Sequence, residues 1–269
     1  MTGHMPDVYT HGHHESVLRS HTWRDVANSA AYLAPLLEAG MSLLDVGCGP
    51  GTLTVDLARH VAPGRVVGVD AVEEVLEGAR ARATAAGVTV EFVQGDVYHL
   101  DVPDDSFDVV HAHQVLQHLT DPVAALREMR RVARLGGVVA VRESDYGGFT
   151  WYPASPGLED WLHLYRDVTQ ANKAECDAGR HLLSWFLRAG FTDVTPGASA
   201  WCFATPQDRQ WWASLWADRV LHSDFARQAH EYGLADDVTL EQLRDAWLEW
   251  GAAEDGWFAV LHGEVIARA

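Results

Sequence analysis

Lysine is almost missing. Lys173 is the only one in 269 residues, so nearly all positive charge is arginine, and acidic residues outnumber basic ones 38 to 20 for a formal net charge of -18. A surface field of that sign repels phosphate backbones and anionic headgroups, which argues against nucleic acid and membrane surfaces as partners. Cysteine is also scarce. Cys48, Cys176 and Cys202 lie far apart, are odd in number and show no CxxC spacing, so a reduced, cytoplasmic protein is expected. No apolar run approaches the roughly 20 residues of a membrane helix, and the start "MTGHMPDVYTHGHHE" is polar and lacks a signal-peptide pattern. Internal repeats and low-complexity segments are absent as well.

What is present is a chain 48% hydrophobic and long enough for one large α/β domain with an elaboration. "TWRDVANSAAYLAPLLEAG" puts Val26, Ala30, Leu33 and Leu37 on one stripe and predicts a leading helix ending at Gly40. "SLLDVG" and "RVVGVD" read as strands buried on both faces, with a helix carrying Leu53, Leu57 and Val61 between them. The alternation continues through "AVEEVLEGARARATAAG", "VTVEFVQGD", "SFDVVHAHQ", "DPVAALREMRRVARLGG" and "VVAVRESD", which predicts a mostly parallel sheet covered by helices. Beyond Tyr146 come an aromatic Gly/Pro loop, a helical stretch from Leu158 to Gly190, and "FTDVTPGASAWCFA", expected as a bent or interrupted strand. Two Trp-rich helical patterns then precede a closing strand, "GWFAVLHGEVIARA", and read as an insertion over one end of the sheet.

The central motif is "LLDVGCGPGTLTVDLA", where an apolar strand meets Asp45, turns on Gly47, Gly49 and Gly51, and restarts as a helix. Glycines there permit a tight turn and a close backbone approach to a ligand. A triphosphate loop is excluded because GxxxxGK[ST] is missing, and a dinucleotide loop would read GxGxxG where this chain has GxGxG. Asp70 ends the next strand 21 residues after Gly49, where a carboxylate can accept both hydroxyls of a ribose; capping the following helix is the alternative role.

These residues resemble the first motif of the Rossmann-like, class I S-adenosylmethionine-dependent methyltransferases. The likeness runs from about Asp25 to Asp145, and "VYTHGHHESVLRSHTWR" and "GWFAVLHGEVIARA" also look like the ubiquinone/menaquinone-biosynthesis-type small-molecule branch. The resemblance implies that Asp45 orients the glycine-loop amides, that Gly47, Gly49 and Gly51 let the cofactor lie against the backbone, and that Asp70 with Ala71 holds the ribose. It further implies that Asp96 and Val97 bracket the adenine, although a purely structural Gly95-Asp96 turn is an alternative. In "HAHQVLQHLTDP", His113, Gln114 and His118 then face the sulfonium and the acceptor. Tyr9 and Arg24 are implied near the cofactor carboxylate, His11 or His14 face the acceptor, and Tyr146 joins the acceptor side. The chain departs from the family's Asn-Pro-Pro-Tyr and Asp-Pro-Pro-Tyr variants, which argues against the exocyclic amines of nucleic-acid bases as targets.

A base is needed only if the acceptor holds a proton, and His14, His113, His118 and Glu143 are the candidates. His11, His13, His14 and His21 are dense enough to raise the question of a metal. Their spacing is not that of a zinc site and no second half-site is visible, so no metal is expected; a solvated arm is the alternative reading. Trp201, Trp211, Trp212, Trp216, Trp247 and Trp250 sit at helical or strand spacing and are expected mainly in the core, with a few lining an apolar acceptor pocket.

The expected architecture is a seven-stranded, mostly parallel Rossmann-like sheet with helices on both faces, an N-terminal cover and a helical insertion before the last strand. Residues 1–40 form the cover and leading helix, 41–146 the cofactor-binding core, and 147–269 the acceptor region with the last strands. The expected activity is methyl transfer to O, N or C of a small organic acceptor, with S-adenosylhomocysteine as product, in a monomer or homodimer. Non-methylating use of the cofactor, cofactor sensing and an NAD-dependent oxidoreductase are the alternatives.

Overall fold

A computed structural model describes residues 7–12 and 14–269; His13 of the histidine cluster lies outside the described residues. Five strands run parallel in the order β3 (Glu91–Gln94), β2 (Val66–Asp70), β1 (Leu43–Val46), β4 (Phe107–His113) and β5 (Ala133–Ser144). The closing strand β8 (Trp257–Arg268) pairs antiparallel with β5, and β7 (Asp193–Phe203) pairs antiparallel with β8 on its other edge. A short strand, β6 (Thr150–Tyr152), also pairs with β8. Among the described residues the sheet therefore has eight strands, one more than expected, because the aromatic loop after Tyr146 contributes the extra pairing.

Burial on both faces follows from the apolar runs. All four residues of β1 are buried, and the alternation of a strand sends Leu44 and Val46 into one helical layer and Leu43 into the other. On the first face lie α5 (Pro122–Val132) and α7 (Ala178–Ala189), contributing Leu126, Met129, Leu182 and Phe186. On the second lies α3 (Thr52–Val61), which buries Leu57 and Val61 against Leu43, Val66 and Val109. Outside it, α4 (Glu73–Ala86) packs Leu76 and Ala79 against Val55 and Phe92.

The insertion between β7 and β8 comprises α8 (Pro206–His222), α9 (Asp224–Glu231) and α10 (Asp237–Ala252). With α6 (Pro156–Ala171) it builds a separate aromatic core in which Trp161, Trp216 and Trp247 are essentially solvent-free. Trp201, Trp212 and Trp250 are also buried there, and Trp211 partly so. The N-terminal helix α1 (Glu15–Thr22) lies on α8, where Arg19 pairs with Asp218.

Two local expectations are corrected. The leading helix is broken into α2 (Val26–Ser29) and a 3-10 turn (Ala34–Leu36). Asp25 and Asn28 form a reciprocal cap at its start, Ala30 leaves helical geometry at φ -139°, and Pro35 lacks the amide that a continuous helix would use. Val26, Ala30 and Leu33 are nevertheless buried, as their stripe requires, whereas Leu37 is half-buried. Conversely, β7 is neither bent nor interrupted in its pairing: all 11 residues keep register with β8, and Pro196 is tolerated because β7 is an edge strand.

Gly51 caps α3 at φ 73°, and a Cβ there would stand 2.7 Å from the Ala79 Cβ and 2.9 Å from the Phe92 ring. Gly51→Ala is expected to cost about 2–4 kcal/mol by combining left-handed strain with overpacking of α3 on α4. Chemical denaturation should show a lowered midpoint at unchanged slope; an unaltered midpoint would mean that α4 shifts freely to make room.

Candidate active site

The parallel strands stop at a common level. Val46, Val69 and Ala112 lie in register, and beyond them the chain leaves β1 and β4 in opposite directions. That divergence opens a crevice at the carboxyl edge of the sheet, the usual ligand site of such folds. A cleft of about 680 Å³ occupies it.

The cleft brings together Asp45, Gly47, Gly49, Asp70, Ala71, Asp96, Val97, His113, Gln114 and His118 from the strand ends with Tyr9 and Arg24 from the N-terminal segment. Gly47, Gly49 and Gly51 all have positive φ. A side chain on Gly47 would collide with Val115, whereas one on Gly49 would point across the cleft toward the His21 ring, 3.7 Å away. Gly51 does not line the cleft; its role is the close packing of α3 on α4.

The carboxylates divide their work differently from expectation. The Gly49 amide donates to Asp70 Oδ2 at 2.8 Å and the Val72 amide to Oδ1 at 3.1 Å, so Asp70 fixes the glycine turn and caps its own loop. A carboxylate has about four acceptor positions, which leaves further lone pairs for a ligand. Asp45 accepts instead from the Thr54 hydroxyl at 2.5 Å and pairs with His111 Nδ1 at 2.7 Å, holding the first turn of α3 rather than the loop amides. Asp96 is exposed, accepts from the Tyr98 amide at 2.9 Å, and leaves Val97 to line the wall.

Gln114 sits at φ 55° directly after β4. Its oxygen accepts from Arg24, and its amide nitrogen faces Ser144 Oγ at 2.6 Å and His262 Nε2 at 3.0 Å. His113 is buried, and its Nε2 is 3.0 Å from an Arg142 guanidinium nitrogen. A guanidinium only donates, so Nε2 accepts and Nδ1 carries the proton. Burial, then Arg24 and Arg142, holds this imidazole neutral, well below its ordinary range. His118 is alike: Gln117 uses its oxygen to accept from the Ser144 amide and so presents its nitrogen to His118 Nε2 at 3.0 Å. Burial and Arg24 lower the His118 pKa to about 3.

Glu143 is not in the cleft. It is fully buried, and its oxygens accept from the amides of Val115, Leu116 and Gln117 at 2.9, 2.8 and 3.3 Å. It shapes the turn that carries Gln114 and His118, so the structure does not bring it to an acceptor. His14 is likewise elsewhere: exposed, it caps α1 by accepting from the Ser16 amide at 3.2 Å.

Behind the cleft lies a second, much smaller chamber of about 30 Å³. Tyr9, His21, Arg24, Gln114 and His118 line both spaces. His11 and Tyr146, expected on the acceptor side, line the chamber, where His11 Nε2 lies 2.9 Å from the Tyr165 hydroxyl. Sequence reasoning missed Ser144, Phe149 and Arg219 of these walls, which nothing in their local pattern singles out, and weighed His21 only as a member of the histidine cluster. Among the described residues, no group of three or more His, Cys, Asp or Glu is arranged to hold a metal, and no helix is long and apolar enough to cross a membrane.

Comparison with known proteins bears on the chemistry of this cleft. The methyltransferase-domain family matches residues 37–212. An uncharacterised methyltransferase of Schizosaccharomyces pombe is 33% identical over 269 residues, covering 97% of this chain and 96% of that protein. A probable methyltransferase of Aspergillus luteorubrus, ltbC, is 32% identical over 279 residues, covering 96% of each. Among solved structures, YcgJ of Bacillus subtilis is similar in fold, with a TM-score of 0.59 at 22% identity, covering 90% of this chain and 98% of that one. With a family match over most of the chain, full-length relatives of the same kind and a glycine turn opening on the switch-point crevice, this chain belongs to the class I, S-adenosylmethionine-dependent methyltransferases.

Proposed function

We propose that the cleft binds S-adenosylmethionine and that the protein transfers its methyl group to O, N or C of a small organic acceptor, releasing S-adenosylhomocysteine. One observation carries this reading: the glycine turn, the Asp70 carboxylate, Val97 and Arg24 all face one crevice. The residues present suit that cofactor. Gly49 leaves open the space that a side chain would enter, Asp70 keeps spare lone pairs for the ribose hydroxyls, and the Arg24 Nε has no partner among the described residues, as suits a guanidinium awaiting the methionine carboxylate. Ala71, Asp96 and Val97 would flank the adenosine. When bound, the cofactor supplies a sulfonium methyl group open to in-line attack.

The chain's own contribution is chiefly placement. His113 and His118 are both neutral with Nε2 already accepting a hydrogen bond, so each offers an N–H at Nδ1 rather than a free lone pair. They can orient an acceptor or donate to its heteroatom, and alignment of the attacking atom can supply much of the acceleration. Residues 1–40 act as a cover, 41–146 as the cofactor-binding core and 147–269 as the acceptor side in this reading.

Calorimetric titration with S-adenosylmethionine, S-adenosylhomocysteine and NAD in parallel tests it. Binding of the first two without NAD is the expected result, followed by a +CH2 mass shift in an acceptor panel. NAD binding alone would overturn the reading, and cofactor binding without any turnover would turn it toward sensing.

A further inference from the structure

The small chamber contains an electrostatic anomaly. In a protein with a formal net charge of -18, Arg24 and Arg219 both face a space with no carboxylate on its walls. Among the described residues neither arginine is within ion-pair distance of an acid. Arg219 is 4% exposed, and burial lowers its pKa against the opposing pull of the neighbouring Tyr146, Tyr9 and Tyr165. A buried cation normally carries a partner, because its desolvation is otherwise uncompensated.

Resting on the reading of the cleft as the cofactor site, we infer that this chamber is an anion subsite and that the acceptor carries a carboxylate, which pairs with Arg219. Arg24 lines both spaces and is taken up by the cofactor; Arg219 lines the chamber alone. One Arg219 nitrogen, Nη2, reaches the Ser16 carbonyl at 3.3 Å and Ser20 Oγ at 3.1 Å, which ties α1 to α8. The same guanidinium stacks on the Trp216 ring at 4.4 Å, and its Nε has no partner among the described residues. Clamping α1 asks only for a neutral donor. A full charge with an unused N–H is what planar carboxylate recognition asks for.

Size agrees with chemistry. About 30 Å³ is room for roughly two water molecules, hence for a carboxylate group but not for a whole acceptor. The acceptor's anionic end would occupy this space while its body remains among Tyr9, Gln114 and His118, beside the cofactor. Tyr146, Phe149, Trp212 and Trp216, all buried, line the chamber beside its polar groups, and a charge pair formed at that depth is stronger than one in water.

Benzoate, benzamide and benzylamine are suitable probes, titrated into the full chain with and without saturating S-adenosylhomocysteine, together with R219Q and R219K. Benzoate should bind the wild type at least about tenfold tighter than benzamide, with benzylamine weakest. R219Q should bring benzoate and benzamide within about twofold while leaving S-adenosylhomocysteine affinity unchanged, and R219K should retain part of the preference. Equal binding of the two probes, no benzoate binding up to its solubility limit, or a preference that survives R219Q would each overturn the subsite. A benzoate preference in a protein that fails to bind S-adenosylhomocysteine would leave the subsite standing and overturn the methyl-transfer reading instead.

Discussion

Asp70→Ala is expected to weaken S-adenosylhomocysteine binding by about a hundredfold. Two ribose hydroxyls donating to a carboxylate are charge-assisted hydrogen bonds, each worth about 1.5–3 kcal/mol, and the lower end of their sum already corresponds to that factor. The same substitution frees the Gly49 and Val72 amides, so the glycine turn loses the anchor that holds its positive-φ geometry and Gly49 is no longer presented to the cleft. Both consequences act in one direction. Asp70→Asn keeps one oxygen acceptor and loses the charge, so its loss should be smaller, about tenfold. Global stability should change little, because the turn borders an open cleft where water can replace the carboxylate. Calorimetry with S-adenosylhomocysteine separates the cases: an Asp70→Ala affinity within about threefold of wild type would leave Asp70 as a turn anchor only.

The proposed cofactor side of the cleft is legible in sequence because it is local. Strand, glycine turn and helix occupy nineteen consecutive residues, and Asp70 follows at the end of the next strand, so a period of apolar residues and a spacing of glycines place these groups without knowledge of distant contacts. The proposed acceptor side is assembled over long distances. Arg219 reads as an ordinary arginine of a helix, and what makes it unusual is a contact with Ser16, 203 residues away, and that among the described residues no acid stands within ion-pair distance of it. Local pattern fails even inside the core wherever side chains redirect the backbone: Val26, Ala30 and Leu33 keep a helical stripe and are buried, yet the Asp25–Asn28 cap and Pro35 break the helix that the stripe implies. Glu143 is misread for a related reason. A strand-end acid on the ligand side has the position of a catalytic base, but its partners are three amides from the preceding crossover, and only the tertiary fold brings them to it.

Those three amides make Glu143→Ala the most damaging single change expected in the core, at about 3–5 kcal/mol of folding stability. Val115, Leu116 and Gln117 would lose their acceptor in a position that water does not reach, and each buried donor left unpaired costs about 1–3 kcal/mol. The turn also carries Gln114 and His118 into the cleft, so cofactor binding should fall with stability. Titration of Glu143 gives an independent signature. Burial, against the opposing pull of the three amides and Arg24, raises its pKa from 4.5 to about 7. The proton sits most naturally on Oε2, whose bond to the Gln117 amide is the longest of the three. A folded-state pKa above the unfolded one means that the native protein binds this proton more tightly. The resulting stabilisation is complete below about pH 4.5, decays as pH rises through the window to about 7, and amounts to about 3 kcal/mol. Glu143→Gln cannot titrate and keeps one acceptor oxygen, so it supplies the reference. The wild type should lose about 3 kcal/mol relative to Glu143→Gln between about pH 5 and about pH 8 in denaturant unfolding. A constant difference across that range would show that Glu143 is ionised throughout, with the three amides outweighing burial, and would leave the Glu143→Ala penalty as a pure hydrogen-bond loss.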